Sequence, residues 1–418
     1  MLVSYNVLIE EFCESHHLGE VKEARLLPAG ITNQTYFVET TTGKYVVKAL
    51  NPYRYKTKED IQKLETTEYI SELANQNGVS TIAAKRINGK LINILHEQHY
   101  IVFDFFEGDI IPLNRISVEN CFDVGRMLAE LHNLSFKEQK KLNSKNKIQM
   151  HNYAEQFKGK VDWDHYYKKA AKNSPKWLSR LKNEIVNLYE VFDLSFAAYL
   201  SFIPQDVVIA HGDLFNHNIL WKDNVPYIID WEAAGFIDAT YDCVYTAIRW
   251  STKNYTEDKE DAVDRYRLYA FLNGYLEKRS INIENIEISL YMILYKRLTY
   301  FRNALIKYLN PRNESSKNRA ESQIIYTLSI FRDYKNLINE LERIKSYIVE
   351  RQPEKEYEKS PSYGIMPKMK LLIESYNDSL DELKKSTKDH RRLTRKHKKL
   401  TEDYMHERLI DKPLKEVN

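Results

Sequence analysis

Residues Val208 to Glu232 read VIAHGDLFNHNILWKDNVPYIIDWE, and the fold turns on this stretch. A polar loop, His211-Gly212-Asp213-Leu214-Phe215-Asn216-His217-Asn218, sits between two short apolar runs. A second acid, Asp230, closes a third run, Tyr227-Ile228-Ile229. The pattern predicts strand, loop, strand, strand, then a turn that opens on a carboxylate. A short buried strand that ends in an acid at a turn can aim that charge into a cleft.

The rest of the chain sets limits around this centre. Its 418 residues suffice for two or three domains. Hydrophobic residues make up 43% and charged residues 29%, a globular composition with material for a sizeable core. The net charge of +3 is too near balance to argue for a nucleic-acid partner. Cys13, Cys121 and Cys243 are odd in number and far apart, which excludes a disulfide scaffold and a CxxC metal site and predicts buried free thiols. The first residues carry acids where a secretory signal carries basic residues, and no apolar run approaches the roughly 18–20 residues of a membrane span. A cytoplasmic location with no membrane span is expected.

Apolar positions at helical spacing predict an opening helix over 3–17. Three strands follow, Val21–Leu27, Thr35–Thr40 and Tyr45–Leu50, joined by turns at Pro28–Gln34 and Thr41–Lys44. Lys58–Asn77 reads as a helix stopped by Gly78, and Lys90–Leu95 and Tyr100–Phe106 as two more strands. From Val118 the signal turns helical: a helix ending near His132, then Trp177–Leu200, Asp242–Trp250, Glu260–Lys278, Ile286–Tyr308 and Lys317–Ile348. The opening stretch is the only clear β-content of this second part. Three domains are expected: 1–104 and 105–350 as two lobes, and 351–418 as a linker and a basic, helical tail. In the tail, Lys384 to Lys399 carries a dense basic run against the single acid Asp389, which makes it a candidate contact for an acidic partner. Ile373, Tyr376, Leu380 and Leu383 start a heptad seam that Thr387, His390 and Thr394 do not sustain.

The spacing of polar residues in Val208–Glu232 suits phosphoryl transfer, which needs held phosphates, a metal to neutralise charge, and a carboxylate to orient the attacking hydroxyl. Asp213 fits the last role. Asn218, five positions later, and Asp230 offer hard oxygens for Mg²⁺. Any one such acid is ordinarily a solvated turn residue; three ligand types at this spacing are not ordinary.

His211, Asp213, Leu214 and Asn218 match the catalytic-loop spacing of protein kinases, with Gly212 where those carry arginine. With Trp231-Glu232 after the metal aspartate, the stretch resembles the aminoglycoside phosphotransferase and choline kinase family, which also includes type II homoserine kinases. The resemblance covers about residues 20 to 340. It implies an α+β, protein-kinase-like two-lobed fold: an N-lobe with an antiparallel sheet plus a helix, and a mainly α C-lobe. It also implies a kinase that uses ATP, with GTP the alternative, and a small-molecule hydroxyl acceptor. In such proteins Lys48 would reach the phosphates, paired with Glu68 or, as a close second, Glu65 on the following helix. The Pro28–Gln34 turn, with Gly30, Thr32 and Asn33, would cover the phosphates; it has one glycine where protein kinases have several. Asp104-Phe105-Phe106-Glu107 resembles the inter-lobe hinge, which makes Asp104 and Phe106 nucleotide-binding candidates. His211, grouped with Asp213 at the catalytic site, resembles the histidine that braces the loop; His217 has no assigned role. Asp242 would brace the catalytic loop or cap a helix, and Leu131-His132 reads as packing.

The acceptor stays open among aminoglycoside, amino-alcohol, homoserine-like and sugar hydroxyls. A cationic acceptor would need acids in the cleft, for which Glu232, Asp238, Glu257, Asp258, Glu260 and Asp261 are candidates. A protein kinase is disfavoured because no Ala-Pro-Glu segment is present and the DFG motif is replaced. The alternative from another class is a non-catalytic kinase-like scaffold that recruits partners through its basic tail.

Overall fold

A computed structural model describes residues 5–27, 33–134, 161–253 and 263–352. The backbone divides into two units, Met1–Glu356 and Tyr357–Asn418, and every described residue belongs to the first. The expected tail helix, its heptad seam and its basic run lie outside the described residues.

The N-terminal lobe is built on five antiparallel strands in the order β1-β2-β3-β5-β4. These are β1 (Val21–Leu26), β2 (Gln34–Thr40), β3 (Lys44–Ala49), β4 (Ile92–Leu95) and β5 (Gln98–Asp104). Side chains alternate across a strand, so each face needs its own cover. On one face Ile9, Phe12 and Cys13 of helix α1 (Tyr5–Ser15) pack with Val38, Val47 and Tyr100. On the other, Leu64 of helix α2 (Lys58–Gln76) packs with Leu50, Leu91 and Ile101. Val47 belongs to the α1 face, so Lys48, its neighbour on β3, lies on the α2 face. A capping box starts α2: the Thr57 hydroxyl accepts from the Asp60 amide at 3.1 Å, and the Asp60 carboxylate accepts from the Thr57 amide at 2.9 Å. Gly78, at φ +86°, follows its end.

The helical lobe comprises α3 (Val118–His132), α4 (Trp163–Ala171), α5 (Leu178–Ser201), α6 (Ala239–Ser251), α7 (Arg265–Leu276), α8 (Glu284–Leu309) and α9 (Glu314–Arg351). Leu290, Leu294, Leu298, Phe301 and Leu305 recur at helical spacing along α8 and are all buried, so α8 runs through the core. Helices α3 and α7 meet backbone to backbone. A Cβ on Gly125 would run into the Phe271 carbonyl, and one on Gly274 into the Phe122 carbonyl.

The Val208–Glu232 stretch folds as the pattern predicts. Strand β6 (Val207–Ala210) enters the polar loop, and β7 (Ile219–Lys222) and β8 (Val225–Ile228) form a hairpin. Its two-residue turn, Asp223-Asn224, has both φ angles positive (51° and 62°), the geometry that matches strand twist. A further strand, β9 (Gly235–Asp238), pairs with β6. Neither β9 nor α4 is expected from the sequence. Four residues are too few to show a period, and α4 buries only Trp163 and Ala170.

The segment after α2 docks on the same hairpin. Thr81 and Ile228 form a parallel bridge, and the Ser80 carbonyl accepts from the Ile228 amide at 2.9 Å. Asp109 and Trp221 exchange backbone hydrogen bonds of 2.9 and 2.8 Å. All three cysteines are free and buried. Among the described residues, no helix is long and apolar enough to cross a membrane.

Replacing Gly274 by alanine forces α3 and α7 apart. Overpacking of this kind costs about 1–3 kcal/mol, so Gly274→Ala should lower the midpoint of chemical denaturation. An unchanged midpoint would contradict the close approach.

Candidate active site

The loop after β6 is shaped from behind. His211 is fully buried, and both ring nitrogens are engaged by backbone: Nε2–H donates to the Ile229 carbonyl at 3.0 Å, and Nδ1 accepts from the Asp213 amide at 3.3 Å. Burial holds its pKa below the usual histidine value, which keeps the ring neutral. Gly212 takes φ +76°, and a Cβ there would meet the Ala233 carbonyl oxygen. The chain therefore turns sharply, and Asp213 follows with 40% of its side chain exposed.

Asp213 is held by three neighbours. Arg249 of α6 donates to Oδ1 at 2.5 Å, His217 stands 3.6 Å from Oδ2, and the Asn218 amide nitrogen donates to Oδ2 at 3.1 Å and to the Asp213 carbonyl at 2.8 Å. Burial would raise the Asp213 pKa, but the His217 ring beside it and the charge and hydrogen bond of Arg249 outweigh it. The carboxyl is held well below the usual range. Asn218 is buried, and since its nitrogen serves Asp213, its oxygen is the atom suited to a cation.

Asp230 opens the turn after β8 in the left-handed region, at φ 63° and ψ 67°. The pairing of Ile219 with Ile228 brings Asn218 and Asp230 to the same end of the hairpin. Trp231 is buried behind them. Its indole N–H donates to the Thr81 hydroxyl at 2.8 Å, and that hydroxyl donates to the Ile228 carbonyl at 2.9 Å.

Lys48 meets this turn from the opposite lobe. Its ammonium donates to Asp230 Oδ1 and Glu232 Oε1, both at 2.9 Å. Burial would lower the Lys48 pKa, but Asp230, Glu232 and Glu68 together hold it above the usual lysine value. Of the two glutamates considered as its partner, Glu68 is buried and Glu65 exposed, yet neither hydrogen-bonds the ammonium. Glu68 sits at 1% exposure with Oε2 lacking a hydrogen bond, and burial pushes its pKa up to about 7 against the pull of Lys48. A carboxyl whose charge is disfavoured by burial is a poorer partner for the ammonium than the less buried carboxylates that accept its hydrogen bonds.

Glu232, one of the candidate acids for a cationic acceptor, faces the N-terminal lobe. Oε1 accepts from Asn33 Nδ2 at 2.6 Å as well as from Lys48, and Oε2 accepts from the Tyr55 hydroxyl at 2.8 Å and pairs with Arg54 at 3.1 Å. A carboxylate two positions past a metal-type aspartate, on one tight turn, was the signal available.

The other candidates divide. Gly30 and Thr32 lie outside the described residues, as do Glu257, Asp258, Glu260 and Asp261. Asn33 is buried, its amide spent on Glu232 and on the Asn51 amide at 2.9 Å. Asp104 ends β5 and pairs with Lys85 at 3.0 Å; Phe106 stacks near Tyr227 with centroids 4.4 Å apart. Asp238 is fully buried: it caps α6 through the Tyr241 amide at 3.0 Å and accepts from the Gln205 amide at 3.1 Å. Asp242 pairs with His132 at 3.2 Å, and His132 also meets the Tyr275 hydroxyl at 2.8 Å, so the Leu-His helix end packs through a polar link.

Among the described residues, no three His, Cys, Asp or Glu side chains cluster as a metal cage. A site of one or two carboxylates and an amide oxygen fits Mg²⁺ nonetheless, since that ion keeps waters and substrate phosphates as ligands.

Comparison with known proteins agrees with this architecture. The model of the phosphotransferase enzyme family matches residues 23–277, more than half of the chain. The chain belongs to that family of small-molecule kinases. Homoserine kinase of Neisseria meningitidis serogroup B is 23% identical over 281 residues, 65% of this chain and 79% of that protein. Homoserine kinase of Burkholderia lata is 29% identical over 126 residues, but the match spans only 35% of its length and 30% of this chain. Among solved structures, a spectinomycin phosphotransferase in complex with ADP and spectinomycin superposes with a TM-score of 0.54 at 16% identity, covering 78% of this chain and 94% of that one. Choline kinase from Cryptosporidium parvum superposes at 0.52 and 15%, covering 82% and 99%. At such identities these structures speak for the protein-kinase-like fold.

The raised pKa of Glu68 has a stability consequence. Its carboxyl titrates near 4.5 when unfolded and at about 7 when folded, so the folded state binds more protons between those values. Stability falls as pH rises through that window, by on the order of 3 kcal/mol from this group. In Glu68→Gln that contribution should vanish, flattening the pH dependence of unfolding between pH 4.5 and 7. An unaltered pH profile would contradict the assignment.

Proposed function

We propose that this chain transfers the γ-phosphoryl group of ATP, with GTP the alternative, to a hydroxyl of a small molecule. One observation carries the reading: Lys48 and Asp230, 182 positions apart in the chain, approach to 2.9 Å beside the Asp213–Asn218 pair. A phosphate-type cation beside a metal-type carboxylate and a base-type carboxylate supports this chemistry.

In this mechanism Asp213 aligns the acceptor hydroxyl and takes its proton as the new P–O bond forms. The bond between the γ-phosphorus and its bridging oxygen breaks, and the nucleoside diphosphate leaves with the electron pair. A base held below the usual carboxylate range suits a loose transition state, in which aiming the hydroxyl matters more than removing its proton early. Asn218 and Asp230 would hold Mg²⁺, with Glu232 beside them. Magnesium supplies charge neutralisation on the phosphate oxygens. Lys48 would exchange a carboxylate for phosphate oxygens, a short movement of a flexible stem. His211 and Gly212 position the loop and take no proton. Asp104–Phe106, at the end of β5, is the segment expected beside the base. A cytoplasmic location suits a nucleotide-dependent enzyme with three buried free thiols.

The test is phosphotransfer over a panel of alcohols, amino alcohols, sugars and aminoglycosides, read by product formation and nucleoside diphosphate release. Asp213→Ala should reduce turnover by about 10²–10⁴-fold while nucleotide binding persists. Full activity in that variant would remove the mechanism.

A further inference from the structure

Helix α6 grips the Asp213 loop through two successive residues. Arg249 donates to Asp213 Oδ1, and the indole N–H of Trp250 donates to the Leu214 carbonyl at 3.1 Å. Trp250 is fully buried, and its ring meets that of Phe215 edge to face with centroids 6.2 Å apart. Packing through Trp250 thus sets the distance between α6 and the loop, and Arg249 is not needed for that.

The Arg249 side chain is restrained by two rings. Its guanidinium carbon lies 4.3 Å from the ring of Phe215, which belongs to the loop, and 5.4 Å from that of Tyr245, four residues earlier on α6. Only 14% of the side chain is exposed. A planar donor that is always charged, held in this way, gives a hydrogen bond of fixed direction.

The two oxygens of Asp213 therefore differ. Oδ1 carries a charge-assisted bond to a cation, which makes it the weaker base. Oδ2 accepts from the neutral Asn218 amide at 3.1 Å, with the His217 ring at 3.6 Å. Rotating the carboxylate about its last bond would break the contacts on both oxygens.

We propose that Arg249 is a positioning residue for phosphoryl transfer, locking the Asp213 carboxylate so that Oδ2 meets the acceptor hydroxyl. The proposal rests on the kinase reading of the site and names the residue through which its base is aimed. In the transfer, the hydroxyl proton passes to Oδ2 as the acceptor oxygen bonds to the γ-phosphorus. The bond to the bridging oxygen breaks, the nucleoside diphosphate leaves with the electron pair, and Oδ1 keeps its bond to Arg249. Arg249 acts through Asp213 alone.

Turnover is measured on the full chain with Mg²⁺, ATP and whichever acceptor of the panel it phosphorylates fastest. Nucleotide affinity is measured by calorimetry with Mg²⁺ and a non-hydrolysable ATP analogue. Arg249→Met should lower kcat by about 10²-fold, the scale of a misaimed reacting group, and leave nucleotide affinity unchanged. Arg249→Lys, which keeps the charge and loses the planar fork, should fall between that variant and the parent. Phe215→Leu should lower kcat by about tenfold in the parent and not at all in Arg249→Met, because its ring acts through the guanidinium. Parental kcat in Arg249→Met, loss of nucleotide affinity in step with turnover, or an equal cost of Phe215→Leu in both backgrounds would overturn the proposal. If Arg249→Met does not fold, Arg249→Lys and Phe215→Leu decide, at unfolding midpoints that match the parent: each should lower kcat and keep nucleotide affinity, and parental kcat in both overturns the proposal. Asp213→Ala, measured alongside, tests the kinase reading separately. Turnover that depends on Asp213 and not on Arg249 removes this inference alone; the absence of Asp213-dependent turnover removes the kinase reading and the inference together.

Discussion

A lysine ammonium held between two carboxylates ties the two lobes of this protein together. Lys48 comes from the sheet, and Asp230 and Glu232 come from the turn after β8. A charge with only 14% of its side chain exposed must be matched, and the match here spans both lobes. Much of the surrounding structure serves that contact. The Trp231–Thr81–Ile228 chain fixes the turn from beneath, and Asp230 takes a left-handed conformation that a free chain rarely adopts. Glu232 collects Asn33, Tyr55 and Arg54 as well, so one carboxylate draws three further points of the N-terminal lobe onto the same turn.

The loop bearing Asp213 obeys the same economy of backbone satisfaction. A neutral histidine with two usable nitrogens can close two backbone groups at once, and His211 does so between the Asp213 amide and the Ile229 carbonyl. A charged ring there would lose its acceptor and face burial uncompensated. These two backbone bonds leave neither ring nitrogen for the Asp213 carboxylate. The glycine beside it is demanded by the Ala233 carbonyl, which leaves no room for a side chain.

How far the sequence could be read follows from the physics of each part. Strand alternation, helical spacing and punctuation by Gly78 are local signals, and the sheet and the long helices appear where those signals put them. Helix α4 and strand β9 are too short to carry a period. In the site, the spacing from His211 to Asn218 is local and readable, because one loop sets it. The partners of Lys48 are not. They depend on which of three nearby carboxylates reaches the ammonium, and the burial of Glu68 is a property of the packed α2 face. The same holds for Glu232: its spacing from Asp230 is visible in the sequence, but not the side of the turn it faces. Arg249 escaped notice because an arginine on a helix has no distinctive spacing, and its meaning comes only from meeting Asp213.

These contacts divide the charges unevenly around one loop. On the side facing the sheet, Glu68, Asp230 and Glu232 gather around Lys48 and Arg54, and burial, with the two other carboxylates, raises the Glu68 pKa. Carboxylates gathered this closely are stable only with cations beside them. On the side facing the helices, Arg249 and Lys296 lie against the Tyr245 ring, 5.4 and 4.1 Å from its centroid. Asp213 stands at the boundary, bound by Arg249 on one oxygen and approached by Asn218 on the other. A carboxylate in that position is polarised toward both halves.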